Sequence, residues 1–329
     1  MLIAAAPALA STARISSANR IVVTGQGSER NSVRVSYDLG MDLYTVTDGA
    51  GVTGSDGCVD VDANTVTCPG AGVVAVSVNT GAGNDLIALD RATMPATIAG
   101  ALNGGSGNDH ISGADADDSL HGGSGRDLLD GGPGADDLRG GRGSDLAYYG
   151  DRVAGVAVSV GAGNANDGNA VDQSGNSRDT VRGDIETVIG SAGGDFLVGD
   201  RSDEALVGGE GDDTLLGGRG NDLLLGGGGN DLLSGENGRD LLRGEDGNDR
   251  LRGGSGDDRL FGGPGDDIIK GQSGVDVMKG NRGIDRIFAR DGTRDKAINC
   301  GPGNNRLEKA KRDRGKRNKR NNDPRARSC

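Results

Sequence analysis

The sequence predicts an all-β fold that is built from nine-residue repeats. The stretch GGSGDDRLFGGPGDDIIK, residues 253–270, shows the repeat twice, with a leading Gly, an Asp at the sixth position and an aliphatic residue at the eighth. Gly supplies 64 of the 329 residues, aromatic residues supply 2% and Trp is absent, so a conventional large globular core is not expected. Gly and Asp form helices and strands poorly. Something other than ordinary core packing must therefore favour the pattern.

The first ten residues resemble the end of a secretory signal. Ala8-Leu9-Ala10 matches the small-x-small cleavage pattern, although the segment lacks a positively charged start. A start codon assigned too late would explain the short signal, and a short disordered N-terminus is the alternative. Residues 1–10 are therefore predicted to be a signal-peptide remnant, with a mature chain that begins near Ser11 and is exported. No apolar run is long enough for a membrane span.

Residues 11–89 are predicted to form a β-rich region. Its alternating stretches SVRVSYDL, LYTVTD and VVAVSVN indicate short strands that either cap the first coil or form a small β domain. The stretch from Asp60 to Asn64 begins like an EF-hand loop, but Thr65 stands where Gly is needed and no Glu closes the loop, so that interpretation is rejected. Residues 90–103 are expected to be a degenerate connecting coil.

Two blocks of repeats follow. Residues 104–148 contain five units, and residues 190–288 contain a leading unit and then ten units in one register from Gly199. The unit TGAGNDLIA, Thr80–Ala88, is an isolated outlier. The blocks start 86 residues apart (190 minus 104), which is not a multiple of nine. The β-rich insert at 149–189 breaks the phase, and we expect it to add irregular coils or a protruding loop to the same roll.

The units resemble the GGxGxDxUx nonapeptides of RTX (haemolysin-type) calcium-binding repeats. A fixed Asp, a fixed aliphatic residue and a fixed period over many units make the resemblance specific. It implies a parallel β-roll, a β-helix or solenoid with two units per coil, that follows a small N-terminal β-rich region. It also implies several bound Ca²⁺ ions.

The chemistry of the residues agrees with that resemblance. Gly reaches positive φ without steric cost, so the glycine-rich half of a unit can form a tight turn whose carbonyl oxygens point to one side. Calcium takes six to eight oxygen ligands from carbonyls and carboxylates. One turn offers too few, so an ion would lie between turn n and turn n+2. The predicted metal ligands are the sixth-position acids Asp109, Asp118, Asp127, Asp136, Asp145, Asp195, Asp213, Asp222, Asp231, Asp240, Asp249, Asp258, Asp267, Asp276 and Asp285. Glu204 takes this position in one unit, where the site is doubtful.

The eighth position is predicted to supply the interior. Its residues are Ile111, Leu120, Leu129, Leu138, Leu197, Leu206, Leu215, Leu224, Leu233, Leu242, Leu251, Leu260, Ile269, Met278 and Ile287. One buried aliphatic residue per unit stabilises the fold by less than the ordering of nine residues costs, and stacked carboxylates add repulsion. We therefore expect the repeats to be unfolded without calcium.

The C-terminal residues 289–329 are predicted to be a degenerate cap repeat and a basic tail. Residues 306–329 contain eleven Lys or Arg and three acids, without aromatic residues. The tail either contacts anionic polymers by charge attraction or is simply solvated, and no specific nucleic-acid binding is expected. Four cysteines allow three connectivities; we predict Cys58–Cys68 and Cys300–Cys329 bridges, with four free thiols as the alternative.

Catalysis has little support in the sequence. The two His residues, His110 and His121, lie in repeat positions and are expected to face solvent, and neither an HExxH nor a GxSxG motif is present. The sequence predicts a secreted, non-catalytic calcium-binding protein that folds on calcium. The alternatives are a calcium-rigidified surface adhesin or carbohydrate-binding module, or the detached repeat module of an RTX hydrolase or toxin. The predicted partners are calcium ions and anionic or carbohydrate cell-surface polymers.

Overall fold

A computed structural model describes residues 11–25, 30–161, 170–171, 178–289, 295, 297–299, 301–302 and 306–309. These residues form β-strands and no helix, so none of them could cross a membrane as a helix. Residues 1–10, Cys300, Cys329 and the end of the basic tail lie outside the described residues, and so do the predictions of a signal remnant and of a second disulfide.

The strands are short, because each unit contributes only one. In the first half of the chain they are β1 Ser11–Ile15, β2 Arg20–Gly25, β3 Ser32–Asp38, β4 Leu43–Asp48, β5 Val52–Ser55, β6 Val59–Asp62, β7 Thr65–Pro69, β8 Ala75–Asn79, β9 Leu86–Leu89, β10 Ala99–Ser106, β11 His110–Ser112, β12 Ser119–Gly125, β13 Leu128–Asp130, β14 Asp137–Gly143, β15 Leu146–Tyr148 and β16 Ala157–Ser159. They continue with β17 Ala170–Val171, β18 Arg178–Val181, β19 Thr187–Ile189, β20 Phe196–Val198, β21 Ala205–Glu210, β22 Thr214–Arg219, β23 Leu223–Gly228, β24 Leu232–Asn237, β25 Leu241–Asp246, β26 Arg250–Ser255, β27 Arg259–Pro264, β28 Ile268–Ser273, β29 Val277–Arg282, β30 Arg286–Ala289, β31 Ala297–Asn299 and β32 Arg306–Lys309.

The chain divides into two compact units, each much larger than a nine-residue repeat unit, which we call the first and the second compact unit. The first, Met1–Tyr148 with Ala162–Ile185, has two sheets with the strand orders β17-β18-β14-β12-β10-β8-β2-β1-β5 and β15-β13-β11-β9-β3-β4-β7-β6. From β8 to β15, successive strands alternate between the sheets and pair in parallel with the strand two further on; Leu102, Leu120 and Leu138, for example, stack in one register. This is a parallel β-roll with two units per coil.

The N-terminal β-rich region continues both sheets of this roll. The stretches predicted to be strands form β3, β4 and β8. Strand β2 pairs in parallel with β8, and β3 with β9, while β4, β6 and β7 add antiparallel hairpins at the end of one sheet. The predicted Cys58–Cys68 disulfide is confirmed. The rejected EF-hand-like segment, residues 60–64, is exposed, and the side chain of Asp60 accepts the N–H of Gly54 in β5.

The second unit, Tyr149–Gly161 with Glu186–Cys329, contains the longer repeat block. Its sheets have the orders β16-β20-β22-β24-β26-β28-β30-β32 and β19-β21-β23-β25-β27-β29-β31, and the strands pair in parallel throughout. Leu215, Leu233 and Leu251 occupy one register, two units apart at each step. The insert is divided between the units, since β16 pairs with β20 whereas β18 pairs with β14.

The interior of each roll is a column of eighth-position side chains. All fifteen residues predicted for this position are buried, with at most 1% of their surface exposed. The side chains at the seventh and ninth positions point outwards, because neighbouring residues of a strand point to opposite faces of the sheet. The eighth position therefore fixes which face of each sheet is inside.

Candidate metal centre

The glycine-rich turns stack backbone on backbone. Gly227 and Gly229, at the second and fourth positions of their unit, have φ of 113° and 137°. A Cβ atom at either would collide with the carbonyl oxygen of Gly209 or Gly211 in the turn two units earlier. Gly is needed at these positions for its positive φ and because no side chain fits between the stacked turns.

The sixth-position carboxylates line these turns and are buried. All fifteen predicted ligands are at most 3% exposed. The N–H of Asp231 donates to Oδ1 of Asp249 at 2.9 Å, and the N–H of Asp249 donates in turn to Oδ1 of Asp267 at 2.9 Å. Each bond spans 18 residues, which is two units. The carboxylates on one edge of a roll therefore form a continuous hydrogen-bonded ladder.

The ladder brings together the predicted ligands in four rows. In the first compact unit the rows are Asp109, Asp127 and Asp145 on one edge, and Asp118 and Asp136 on the other. In the second unit they are Asp195, Asp213, Asp231, Asp249, Asp267 and Asp285 on one edge, and Asp222, Asp240, Asp258 and Asp276 on the other.

The other carboxylate oxygen, Oδ2, is buried without a hydrogen-bond donor in many of these residues. Among the described residues this holds for Asp85, Asp109, Asp127, Asp213, Asp222, Asp231, Asp240, Asp249, Asp258 and Asp267. An unpartnered buried carboxylate oxygen carries a large desolvation penalty. A bound cation removes this penalty.

Carboxylate and carbonyl oxygens converge beside the first glycine of a nine-residue unit. At Gly226, the first residue of its unit, an added Cβ would collide with Oδ2 of Asp231 and lie 2.6 Å from the carbonyl oxygen of Gly244, two units further on. Oxygens from two stacked turns thus lie close together beside this glycine. The same two oxygens converge at Gly113, Gly190, Gly208, Gly217, Gly253 and Gly262. The donor set of carboxylates and carbonyls fits calcium, a hard cation that accepts both.

No group of three or more His, Cys, Asp or Glu side chains in the described part of the chain lies close enough to hold a metal ion. Ligation between stacked turns would draw on backbone carbonyls as well as on single carboxylates.

Burial raises the pKa of these carboxyl groups. Desolvation, reinforced by neighbouring carboxylates of the ladder, raises the pKa of Asp213, Asp249, Asp258 and Asp267 to about 7. The pKa of Asp109, Asp118, Asp222 and Asp231 rises to about 6 for the same leading reason. The fold therefore disfavours the charged form of the ladder unless a positive charge is present.

In the second compact unit, Glu204 takes a sixth position that is otherwise occupied by Asp. Its N–H donates to Oδ1 of Asp222 at 2.9 Å, so the backbone ladder continues. Its longer side chain reaches Asp200 instead, and burial together with this carboxyl–carboxyl contact raises the pKa of Glu204 to about 9. That the calcium site at this turn is doubtful stays a prediction.

Two ladder members were missed by the sequence prediction. Asp85, in the outlier unit, donates its N–H to Oδ1 of Asp109 at 2.8 Å, and Asp179 accepts the N–H of Asp136 at 2.9 Å. Asp85 occupies the sixth position of TGAGNDLIA, so the sequence contained the signal. Asp179 lies in the insert, where only the spacing of Asp179 and Val181 indicates a unit.

A second ladder at the fifth position was also missed. The N–H of Asn248 donates to the side-chain oxygen of Asn230 at 3.0 Å, and the N–H of Asp266 donates to that of Asn248 at 2.7 Å. This ladder runs in the direction opposite to the carboxylate ladder and lies on the exposed side of the turns. The frequent Asn or Asp at the fifth position thus ties neighbouring turns together.

Fold and turns together define a parallel β-roll of nonapeptide repeats with buried carboxylate ladders. The family model described as RTX calcium-binding nonapeptide repeat (4 copies) matches residues 101–129, 112–147, 180–215, 198–233, 207–242, 234–269, 243–278 and 270–293. The chain therefore belongs to the RTX calcium-binding nonapeptide repeat proteins, and its repeats bind calcium. Such repeats are typical of extracellular proteins, and their β-roll domains are typically non-catalytic. No curated protein matches the chain.

Proposed function

We propose that the protein is a secreted, non-catalytic calcium-binding protein whose β-rolls fold when extracellular calcium ions bind between stacked turns. One observation carries the proposal: turn after turn buries a carboxylate whose Oδ2 has no donor and faces a carbonyl oxygen of the next stacked turn. A divalent cation between the turns supplies the missing positive charge.

The fifteen sixth-position aspartates would hold the ions. A middle residue such as Asp249 lies between Asp231 and Asp267 in its row, so it would contribute to two sites. Asp85 and Asp179 would extend the set at either end of the first repeat block. Magnesium fits less well, because it demands a small, regular octahedron and keeps its waters.

Calcium would act on folding through mass action. At about 1 mM calcium, a site with a dissociation constant near 10⁻⁴ M stabilises the folded chain by about 1.4 kcal/mol. Several such sites in one cooperative roll add up to the free energy that separates a folded from an unfolded marginal domain. Without calcium, the buried charges oppose folding.

Secretion and the absence of catalysis rest on further features. The Cys58–Cys68 disulfide suits an oxidising compartment. His110 and His121 are exposed, as predicted, on the outer side of strands of the roll. The buried sixth-position aspartates, whose carboxylates elsewhere could act as acid and base, are engaged in the ladders.

Far-UV circular dichroism of the full chain, titrated with calcium from a chelator-buffered start, tests the proposal. We expect little regular structure in excess chelator and a cooperative gain of β signal at calcium concentrations of about 10⁻⁴ to 10⁻³ M. The same titration with magnesium should give a much weaker response. A fully structured spectrum in excess chelator would overturn the proposal.

A further inference from the structure

The outer face of one sheet in the second unit carries a basic surface. Arg250 and Arg252 extend from β26, and Lys270 extends from the adjacent strand β28. We call these three residues the basic face. Arg252 is paired in register with Lys270, and Arg250 with Ile268, so the three cationic groups lie on neighbouring strands at a strand spacing of about 4.8 Å.

The cations of the basic face are not neutralised by nearby acids. Arg250 and Arg252 are exposed, Lys270 is half-buried, and none of the three forms an ion pair with any residue that the structure describes. The seventh and ninth positions from β20 to β30 in this sheet include no Asp or Glu. The acidic residues of this region lie in the turns, so the net charge of -13 conceals a separate positive surface.

An apolar side chain adjoins these cations. Phe288 of β30 pairs in register with Lys270, whose Nζ lies 5.3 Å from the centre of the Phe288 ring. Ile268 lies between Arg250 and Arg286 in the other outward row. The surface therefore combines spaced positive charges with half-exposed hydrocarbon.

We propose that the basic face binds a linear anionic polysaccharide that carries carboxylate or sulfate groups. Two arginines offer planar forks that match such groups, and a flat row of cations suits an extended chain with regularly spaced charges. Sugar rings can pack on Ile268 between the charges. Single-stranded nucleic acids need aromatic platforms for base stacking, and the one aromatic ring here is covered by Lys270.

The calcium dependence of this binding rests on the proposed function. The rows of the basic face exist only while β26, β28 and β30 are paired, so a roll that is unfolded without calcium would have no basic face. Polysaccharide binding would then be confined to the calcium-rich side of the cell boundary.

The test compares two triple variants of the full chain at saturating calcium, with chondroitin sulfate as the ligand and uncharged dextran as the negative control. The first is Arg250→Ala, Arg252→Ala and Lys270→Ala. The second, matched in charge, is Arg201→Ala, Arg219→Ala and Arg239→Ala, which removes exposed arginines outside the basic face. Both retain the basic tail.

We expect the first variant to bind chondroitin sulfate about tenfold or more weakly than the native chain, with a shallower dependence on salt, and the second to bind almost as the native chain does. Circular dichroism should show that both remain folded. Equal losses in the two variants would overturn the proposal, as would native-like binding of the first. A single-stranded DNA oligonucleotide that binds as tightly, with the same dependence on Arg250, Arg252 and Lys270, would overturn the assignment to polysaccharide.

A parallel measurement in excess chelator separates this proposal from the calcium proposal. Unchanged binding by a chain without β signal would overturn the basic face and leave calcium-dependent folding intact. The native chain could instead stay structured in chelator and bind the polysaccharide, while the first variant does not bind it. That result would support the basic face and overturn calcium-dependent folding.

Discussion

Replacing Asp249 with Asn should have opposite effects with and without calcium. Asp249 is fully buried, its Oδ1 accepts the N–H of Asp231, and its Oδ2 has no donor. Asn keeps the Oδ1 acceptor and the size of the side chain but removes the charge. The substitution therefore leaves the ladder bond in place while it changes the electrostatics of the turn.

The expected magnitude differs between the two conditions. Burial raises the pKa of Asp249 from 3.8 to about 7, so keeping this group charged above pH 7 costs the folded state roughly 4 kcal/mol. Asp249→Asn should remove much of that cost in chelator. In calcium, the loss of a ligand from two sites at about 1.4 kcal/mol each should cost about 3 kcal/mol.

The assay is calorimetric calcium titration combined with circular dichroism at pH 7.5. We expect Asp249→Asn to lower the stoichiometry by one or two ions and raise the calcium midpoint, while increasing the β signal that remains in chelator. Asp246→Asn is the matched control, because Asp246 is exposed in the same unit. Equal effects of the two substitutions would refute ligation by the buried ladder and would mean that bulk charge governs calcium binding.

Three further predictions concern pH, the glycines and the disulfide. In excess chelator, β structure should increase as the pH falls from about 7.5 to 5. The buried carboxyl groups have pKa values of about 6 to 7 in the folded chain, raised from 3.8, so their protonation stabilises the fold at low pH and this contribution is lost as the pH rises through 6 to 7. A circular dichroism signal that stays flat over this range would contradict the assignment. Gly226→Ala, whose Cβ would collide with Oδ2 of Asp231 and with the carbonyl oxygen of Gly244, should displace these oxygens and lose a calcium ion in calorimetry. Gly228→Ala meets only the flexible end of Glu210 and should not; equal losses would mean that the oxygens beside Gly226 hold no ion. Cys58→Ser with Cys68→Ser should destabilise the N-terminal hairpins by about 3 kcal/mol in urea unfolding and leave the calcium stoichiometry unchanged; a change in that stoichiometry would place the disulfide in the calcium sites.

The periodic part of the sequence predicts most of the fold. A residue type that recurs every nine positions meets the same environment in every coil. The burial expected for Leu233 and Asp231 is therefore expected for their counterparts in the other repeats. The parallel β-roll and its two units per coil came from the resemblance to RTX repeats. The structure confirms both.

Features that depend on spacing other than nine residues could not be predicted. Asp85 reaches Asp109 across 24 residues and Asp136 reaches Asp179 across 43, because loops of other lengths intervene. The division of the insert between the two units depends equally on loop length, which a periodic pattern does not encode. The basic face was missed although it follows the nine-residue period. Arg252 and Lys270 are 18 residues apart in the chain, which is two units, so a roll with two units per coil places them on adjacent strands.

The most direct test of the central claim is a crystal structure of the calcium-loaded protein with anomalous scattering from calcium. We predict ions between turns n and n+2 of both repeat blocks, each in contact with Oδ2 of sixth-position aspartates such as Asp231 and Asp249, and no ion at the turn of Glu204. Ions confined to exposed acids such as Asp246, with the buried carboxylates left without a cation, would contradict the account.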